Sequence, residues 1–153
     1  MLDMVALRDI LKTIYGVEDK YLGPISTNWF IPTVDASDKV GTWIGYRVLD
    51  KKSYTRAYQP DNTIVKPVKV SFRISFIGPQ AEELADQTLL WDNRTDVNNA
   101  FAKYQAQVNY TDRVGFTYPI RNGGFNDSLC WIVDMSAQTT YEIDTKQQPW
   151  FNK

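Results

Sequence analysis

Few side chains in this 153-residue chain are equipped for chemistry. There is no His, which removes the commonest general acid/base, the usual metal ligand and the Ser-His and Cys-His nucleophile pairs. Cys130 is the single cysteine, so no intrachain disulfide can form and a thiolate metal cluster lacks its ligands. Glu82 and Glu83 are neighbours and leave a helix in different directions, which does not make a catalytic dyad. Asp92, Asp96, Asp134 and Asp144 would pair for glycosidase-type work only if tertiary structure joined them, and carboxylates at this frequency are ordinarily solvated surface. Gly78-Pro79 opens a helix but lacks the further glycines that let a phosphate approach. No P-loop, dinucleotide fingerprint, metal-ligand spacing or nucleophile elbow is present. What remains is a polar row, Lys69, Ser71, Arg73 and Ser75, at alternate positions of one stretch. By default such a row is the solvent side of an antiparallel sheet; facing DNA, it would make weak, sequence-blind phosphate contacts. Stacking of nucleic-acid bases on the many Tyr residues is a third use, but no stacking motif accompanies it. These residues predict a protein that is not an enzyme and holds no cofactor or metal.

The elements that position them follow from periodicity. In residues 68–76, Val68, Val70, Phe72, Ile74 and Phe76 alternate with the polar row, the period of a half-buried strand. Gly78-Pro79 then starts a helix carrying Ala81, Leu84, Ala85 and Leu89 at helical spacing, with Glu82, Glu83 and Asp86 near its start, where the helix dipole favours negative charge. A strand turning tightly into a helix is a unit whose helix folds back over the apolar strand face. Upstream, residues 2–15 form a helix: Asp3 is the N-cap, Leu2 and Leu7 occupy the hydrophobic-staple positions, and Gly16 is the stop. Its stripe of Met4, Leu7, Leu11 and Ile14 is either a core face or a subunit contact. Residues 17–39 are loop-like, with 28–31 able to pair as an edge strand. Residues 40–49 are a strand, with Val40, Thr42, Ile44, Tyr46 and Val48 on one side and Trp43 and Leu49 on the other.

Residues 51–67 are open between a long hairpin projecting from the sheet and a surface loop. Tyr54, Arg56 and Tyr58 alternate with small residues, so strand character can continue to the turn at residues 59–62. A second helix, or a continuation of the first beyond a kink at residues 92–95, carries Val97, Ala100, Phe101, Tyr104 and Val108. Three strands follow: one through Val114 to Ile120, one through Leu129 to Met135 after the turn at residues 122–124, and a last one at residues 139–143 after a turn at residues 136–138. In the tail, residues 146–153, Trp150 and Phe151 stand out as bulky aromatics that call for a docking surface. The order predicts one α+β domain over residues 1–153: a single, mostly antiparallel (mixed) β-sheet, with the N-terminal helix and a central helix or helix pair packed on one face.

Composition narrows the partners. Aromatics reach 14%, with nine Tyr and five Trp, residues that serve cores and protein interfaces equally well. Seventeen basic and 18 acidic residues leave a net charge of -1, without the basic excess of a dedicated nucleic-acid binder. Such a chain is poorly protected by charge against self-association, which suits a protein built to assemble. No apolar stretch approaches the roughly 20 residues of a membrane helix, and no basic n-region precedes an apolar run. A chain made and kept in a reducing cytoplasm, or assembled there, is the expectation.

Residues 70–91, VSFRISFIGPQAEELADQTLLW, followed by DVNNAF, resemble the central strand and helix of phage neck and tail-terminator proteins. In that family a strand ending in a phrase like F-x-G is followed by a helix with an Ala-rich opening turn. The likeness covers residues 68–104, and the remainder is similar in element order. The resemblance implies a virion structural protein of a tailed bacteriophage, assembled in the host cytoplasm. It would form a ring, usually a hexamer, at the neck, terminating the tail tube, meeting tube and sheath proteins below and the head-side connector above. DNA would pass through its lumen without sequence recognition, and no membrane is involved. In such a ring Lys69 and Arg73 are the candidate lumen-facing residues. Tyr54, Arg56, Tyr58, Trp150 and Phe151 are the candidate subunit or partner contacts, on a projection at residues 50–67 and a C-terminal arm at residues 146–153. A different assembly component (head–tail connector, head-completion or baseplate protein) and a small cytoplasmic ligand-binding domain or enzyme are the competing readings.

Overall fold

A computed structural model describes residues 2–25, 42–78, 80–111, 114, 117–122 and 125–144. The chain runs α1 (Met4–Tyr15), β1 (Leu22–Pro24), β2 (Trp43–Ser53), β3 (Thr63–Ile77), α2 (Ala81–Gln87), α3 (Thr95–Ala102), β4 (Ala106–Val108), β5 (Thr117–Asn122) and β6 (Phe125–Asp144). Six strands among the described residues form one mixed sheet in the order β1-β2-β3-β6-β4, with β5 also on β6. Only β1 and β2 pair in parallel; the other ladders are antiparallel. This is an α+β fold. Its spine is the β3–β6 pair, in unbroken register from Thr63↔Asp144 to Ile77↔Cys130.

The helices start and stop where local chemistry dictates. The Asp3 carboxylate accepts from the Ala6 N–H at 2.8 Å, Leu2 and Leu7 are fully buried beside it, and Gly16 ends α1 in the left-handed region at φ 62°. The α1 stripe is a core face: Leu7, Ile10 and Leu11 have no exposed surface and pack with the apolar side of β3. That side (Val68, Val70, Phe72, Ile74, Phe76) is buried under α1 and the α2–α3 section. Tyr15 meets Phe76 edge-on at 5.8 Å, and Phe72 meets Phe101 at 6.1 Å. Each fully buried side chain of this size contributes about 1.5–3 kcal/mol, so the sheet–helix seam is the main source of stability.

Several local expectations are corrected. Residues 136–138 do not turn: Ser136, Ala137 and Gln138 pair with Ser71, Val70 and Lys69, and β6 is one 20-residue strand. Its alternation never breaks, since Val133, Met135, Ala137 and Thr139 all face the core. The second helix ends at Ala102; Val108 lies in β4, beyond a reversal in which Gln105 takes φ 57°. α2 is capped at Gln80 rather than Gly78, whose own φ of 127° makes the turn. After Gln87 the chain tightens into a 3-10 turn over Thr88–Asn93. At three residues per turn, Ala85, Thr88 and Trp91 face inward, and Leu89 swings out to 38% exposure. Val114 lies outside β5, which starts at Thr117. Strand character does not continue through Tyr54 and Arg56, because β2 stops at Ser53. The edge strand expected at residues 28–31, the turn at Gly123-Gly124 and the tail at residues 146–153 lie outside the described residues.

Candidate functional site

The polar row of β3 becomes a surface only when β2 and β6 are laid beside it. Arg47, Arg73 and Asp134 form one cross-strand row, and Lys52, Lys69 and Gln138 form another. Arg73 meets Asp134 through two parallel hydrogen bonds, Nε to Oδ1 at 2.7 Å and a terminal guanidinium nitrogen to Oδ2 at 3.0 Å. Such a fork-to-fork pair holds the guanidinium flat against the sheet. Lys69 stays exposed, with Lys52 opposite it. Arg73 is therefore engaged within the sheet, whereas Lys69 presents its charge outward. The row also ends sooner than its pattern suggests. Ser75 is buried, because this end of the face carries a second apolar cluster of Trp43, Ile77, Cys130 and Ile132. The Trp43 ring lies over Gly45, so closely that a Cβ on Gly45 would stand 2.6 Å from it.

Residues 51–67 form a hairpin whose arms are the ends of β2 and β3. Every residue from 49 to 62 is exposed. The tip is nevertheless tied down: Tyr58 and Val65 exchange backbone hydrogen bonds at 2.9 and 2.8 Å, and the Ser53 hydroxyl donates to the Thr55 carbonyl at 2.8 Å. Tyr54 and Tyr58 keep 54% and 55% of their surface in solvent, with exposed Arg56 between them. These three candidate contact residues therefore share one ordered projection. Trp150 and Phe151 lie outside the described residues. Lys52 joins the Lys69 row only through strand pairing, which leaves no mark in local sequence, and Lys51, opposite Val70, lies on the other face.

Several carboxylates are held by local partners. Asp134 holds Arg73, and Asp96 holds Arg94 at 2.6 and 3.1 Å. Asp9 accepts from the Tyr104 hydroxyl and from Lys103, tying α1 to the end of α3. The Tyr104 bond, then the Lys103 ammonium, holds the Asp9 carboxyl below the usual carboxylate range, while the same bond pushes the Tyr104 phenol up to about 12. Among the described residues no group of three His, Cys, Asp or Glu side chains is placed to hold a metal ion, and no helix is long and apolar enough to cross a membrane. Among the described residues a groove of about 570 Å³ opens to solvent on α2, lined by Glu82, Glu83, Asp86, Gln87 and Leu90, and another of about 680 Å³ lies between α3 and β4, with Asp92, Asn98, Asn99, Gln107 and Asn109 in its lining.

No family model matches the chain, nor does any curated protein.

Proposed function

We propose that this protein is a structural subunit of a tailed bacteriophage virion that assembles with its own copies into a ring, hexameric by resemblance, at the neck. The ring terminates the tail tube and joins it to the head connector, and DNA passes through its lumen. One observation supports the reading above the others: an ordered hairpin, exposed over residues 49–62, carries Tyr54, Arg56 and Tyr58 away from the helix-covered core. Exposed tyrosines on a hydrogen-bonded projection contribute little to their own domain, but they are what interfaces are built from. Ring closure requires two different complementary surfaces per subunit, and the hairpin supplies one. In this reading the Lys52–Lys69 row faces the lumen, where scattered lysines give DNA weak, sequence-blind contact.

The test is electron microscopy and light scattering of the purified protein, alone and with isolated tail tubes. Rings on tube ends are the expected result. A protein that stays monomeric and never associates with tubes or connectors removes the reading. Removal of residues 147–153, with Trp150 and Phe151, is expected to weaken assembly, and native mass spectrometry showing unchanged rings would exclude the tail as a contact.

A further inference from the structure

The near-zero net charge hides a segregation. Residues 47–69, the hairpin and its arms, hold six basic residues against two acidic ones, Asp50 and Asp61. Residues 78–99, the α2 section, hold five acidic residues against one basic, Arg94. The two segments thus carry +4 and −4. The charges nearest the tip and those of the helix are exposed: Lys51, Arg56 and Lys66 on one, Glu82, Glu83 and Asp86 on the other. None of these six makes an ion pair among the described residues.

The two surfaces cannot neutralise each other within one molecule. Tyr58 pairs with Val65 and Ser53 with Val68, so the hairpin tip lies beside the first half of β3, whereas α2 follows its last residue, Ile77. At about 3.3 Å per residue, the intervening part of β3 holds the tip roughly 30–40 Å from the start of the α2 section. The screening length at physiological salt is only about 8 Å. Each surface also carries apolar material suited to the other. Tyr54 and Tyr58 flank Arg56 on the tip, while Leu90, 62% exposed, lines the open groove with Glu82, Glu83 and Asp86.

We infer that the hairpin tip of one copy docks into the α2 groove of a second copy, head to tail. A polyanion such as DNA would satisfy the hairpin and leave the acidic groove without a partner, whereas a second copy satisfies both surfaces at once. The contact is heterologous, so it repeats, and the rotation per step decides between a closed ring and a filament. The inference rests on the ring reading only for closure; the pairing of surfaces stands on charge and exposure.

Charge reversal on the full chain tests it. One variant carries Lys51→Glu, Arg56→Glu and Lys66→Glu; a second carries Glu82→Lys, Glu83→Lys and Asp86→Lys. All six positions are exposed, and circular dichroism checks that both variants fold. Sedimentation velocity and native mass spectrometry are run at about 50 mM and about 500 mM salt. The wild type is expected to assemble at low salt and to loosen at high salt. Each variant alone is expected to stay monomeric. Their equimolar mixture regains assembly with strict alternation, and a chain carrying all six substitutions assembles by itself. Assembly of either single-surface variant like the wild type, or no recovery on mixing, overturns the inference. Rings of wild type and variants alike would overturn it and leave the ring reading intact. A wild type that is monomeric at both salts, with tail tubes present, removes both. Variants that lose DNA binding while copies still associate would mark the hairpin as a nucleic-acid surface and overturn the docking.

Discussion

At the scale of single residues, Gly45 and the Asp9–Tyr104 pair show how narrow the tolerances are. A Cβ on Gly45 would meet the Trp43 ring at 2.6 and 2.7 Å and the Ile25 side chain at 2.8 Å. Gly45→Ala is therefore expected to displace a buried indole and cost about 1–3 kcal/mol in denaturant unfolding, the usual toll of overpacking. Gly23→Ala, 3.5 Å from the same ring, is the control and should be far milder. The Asp9–Tyr104 bond shapes both limbs of the pH–stability curve. The folded-state pKa of Asp9 is depressed, so its contribution is complete above about pH 4 and fades as pH falls through the lower value. The folded-state pKa of Tyr104 is raised from 10.0 to about 12, so its contribution is complete below pH 10 and is lost as pH rises towards 12. Tyr104→Phe should flatten both limbs and, because Asp9 is partly solvated, cost only about 0.5–1 kcal/mol at neutral pH. Urea unfolding across the pH range reads this directly; unchanged limbs would exclude the bond as their cause. Burial pushes the Tyr15 phenol up as well, and the fully buried Trp91 indole N–H beside it makes no hydrogen bond among the described residues. Trp91→Ala is expected to cost about 3–5 kcal/mol and Trp91→Phe much less, since the latter keeps the ring contacts and removes an unsatisfied donor.

At the scale of elements, β6 is the decisive strand. It is paired on both sides at Ala137, with Val70 of β3 and Val108 of β4. Ala137→Pro should remove ladder hydrogen bonds and clash in a central strand, costing about 3 kcal/mol or more. For a protein of this size that lowers Tm by roughly 6–12 °C, measurable by calorimetry. Were residues 136–138 a turn, as their Ser-Ala-Gln composition suggests, proline there would be nearly silent. The helix ends offer a milder check: Gly16→Ala meets no atom within 4 Å, so its cost of about 1 kcal/mol reflects the left-handed φ alone. Element existence was legible in the sequence because burial on one face imposes a period of 2 or 3.6. Element ends were less so. The 3-10 tightening at Thr88 and the reversal at Gln105 leave no periodic mark, since each lasts one turn.

At the scale of the whole molecule, the hairpin and the helix-covered core are separable in energy. Residues 54–62 are all exposed, so replacing them by a short turn should leave the thermal unfolding midpoint within a few degrees of the wild type. The same change should abolish association if the hairpin is the contact. A large loss of stability would instead assign the tip a structural role.

By itself the sequence determined the fold class, the N-terminal helix with both caps, the apolar side of β3 and the lack of the usual catalytic constellations. Each is written in local residue order, where spacing and side-chain chemistry suffice. Tertiary structure alone decided which polar residues share a surface. Arg73 is engaged with Asp134, 61 residues away, while Lys69 gains Lys52 as a neighbour through strand register. Ser75, polar by pattern, is buried on the face that carries the Trp43, Ile77, Cys130 and Ile132 cluster. The separation of a basic hairpin from an acidic helix face is likewise a matter of three dimensions. Both stretches can be counted along the chain, but only an extended β3 holds them too far apart to satisfy each other.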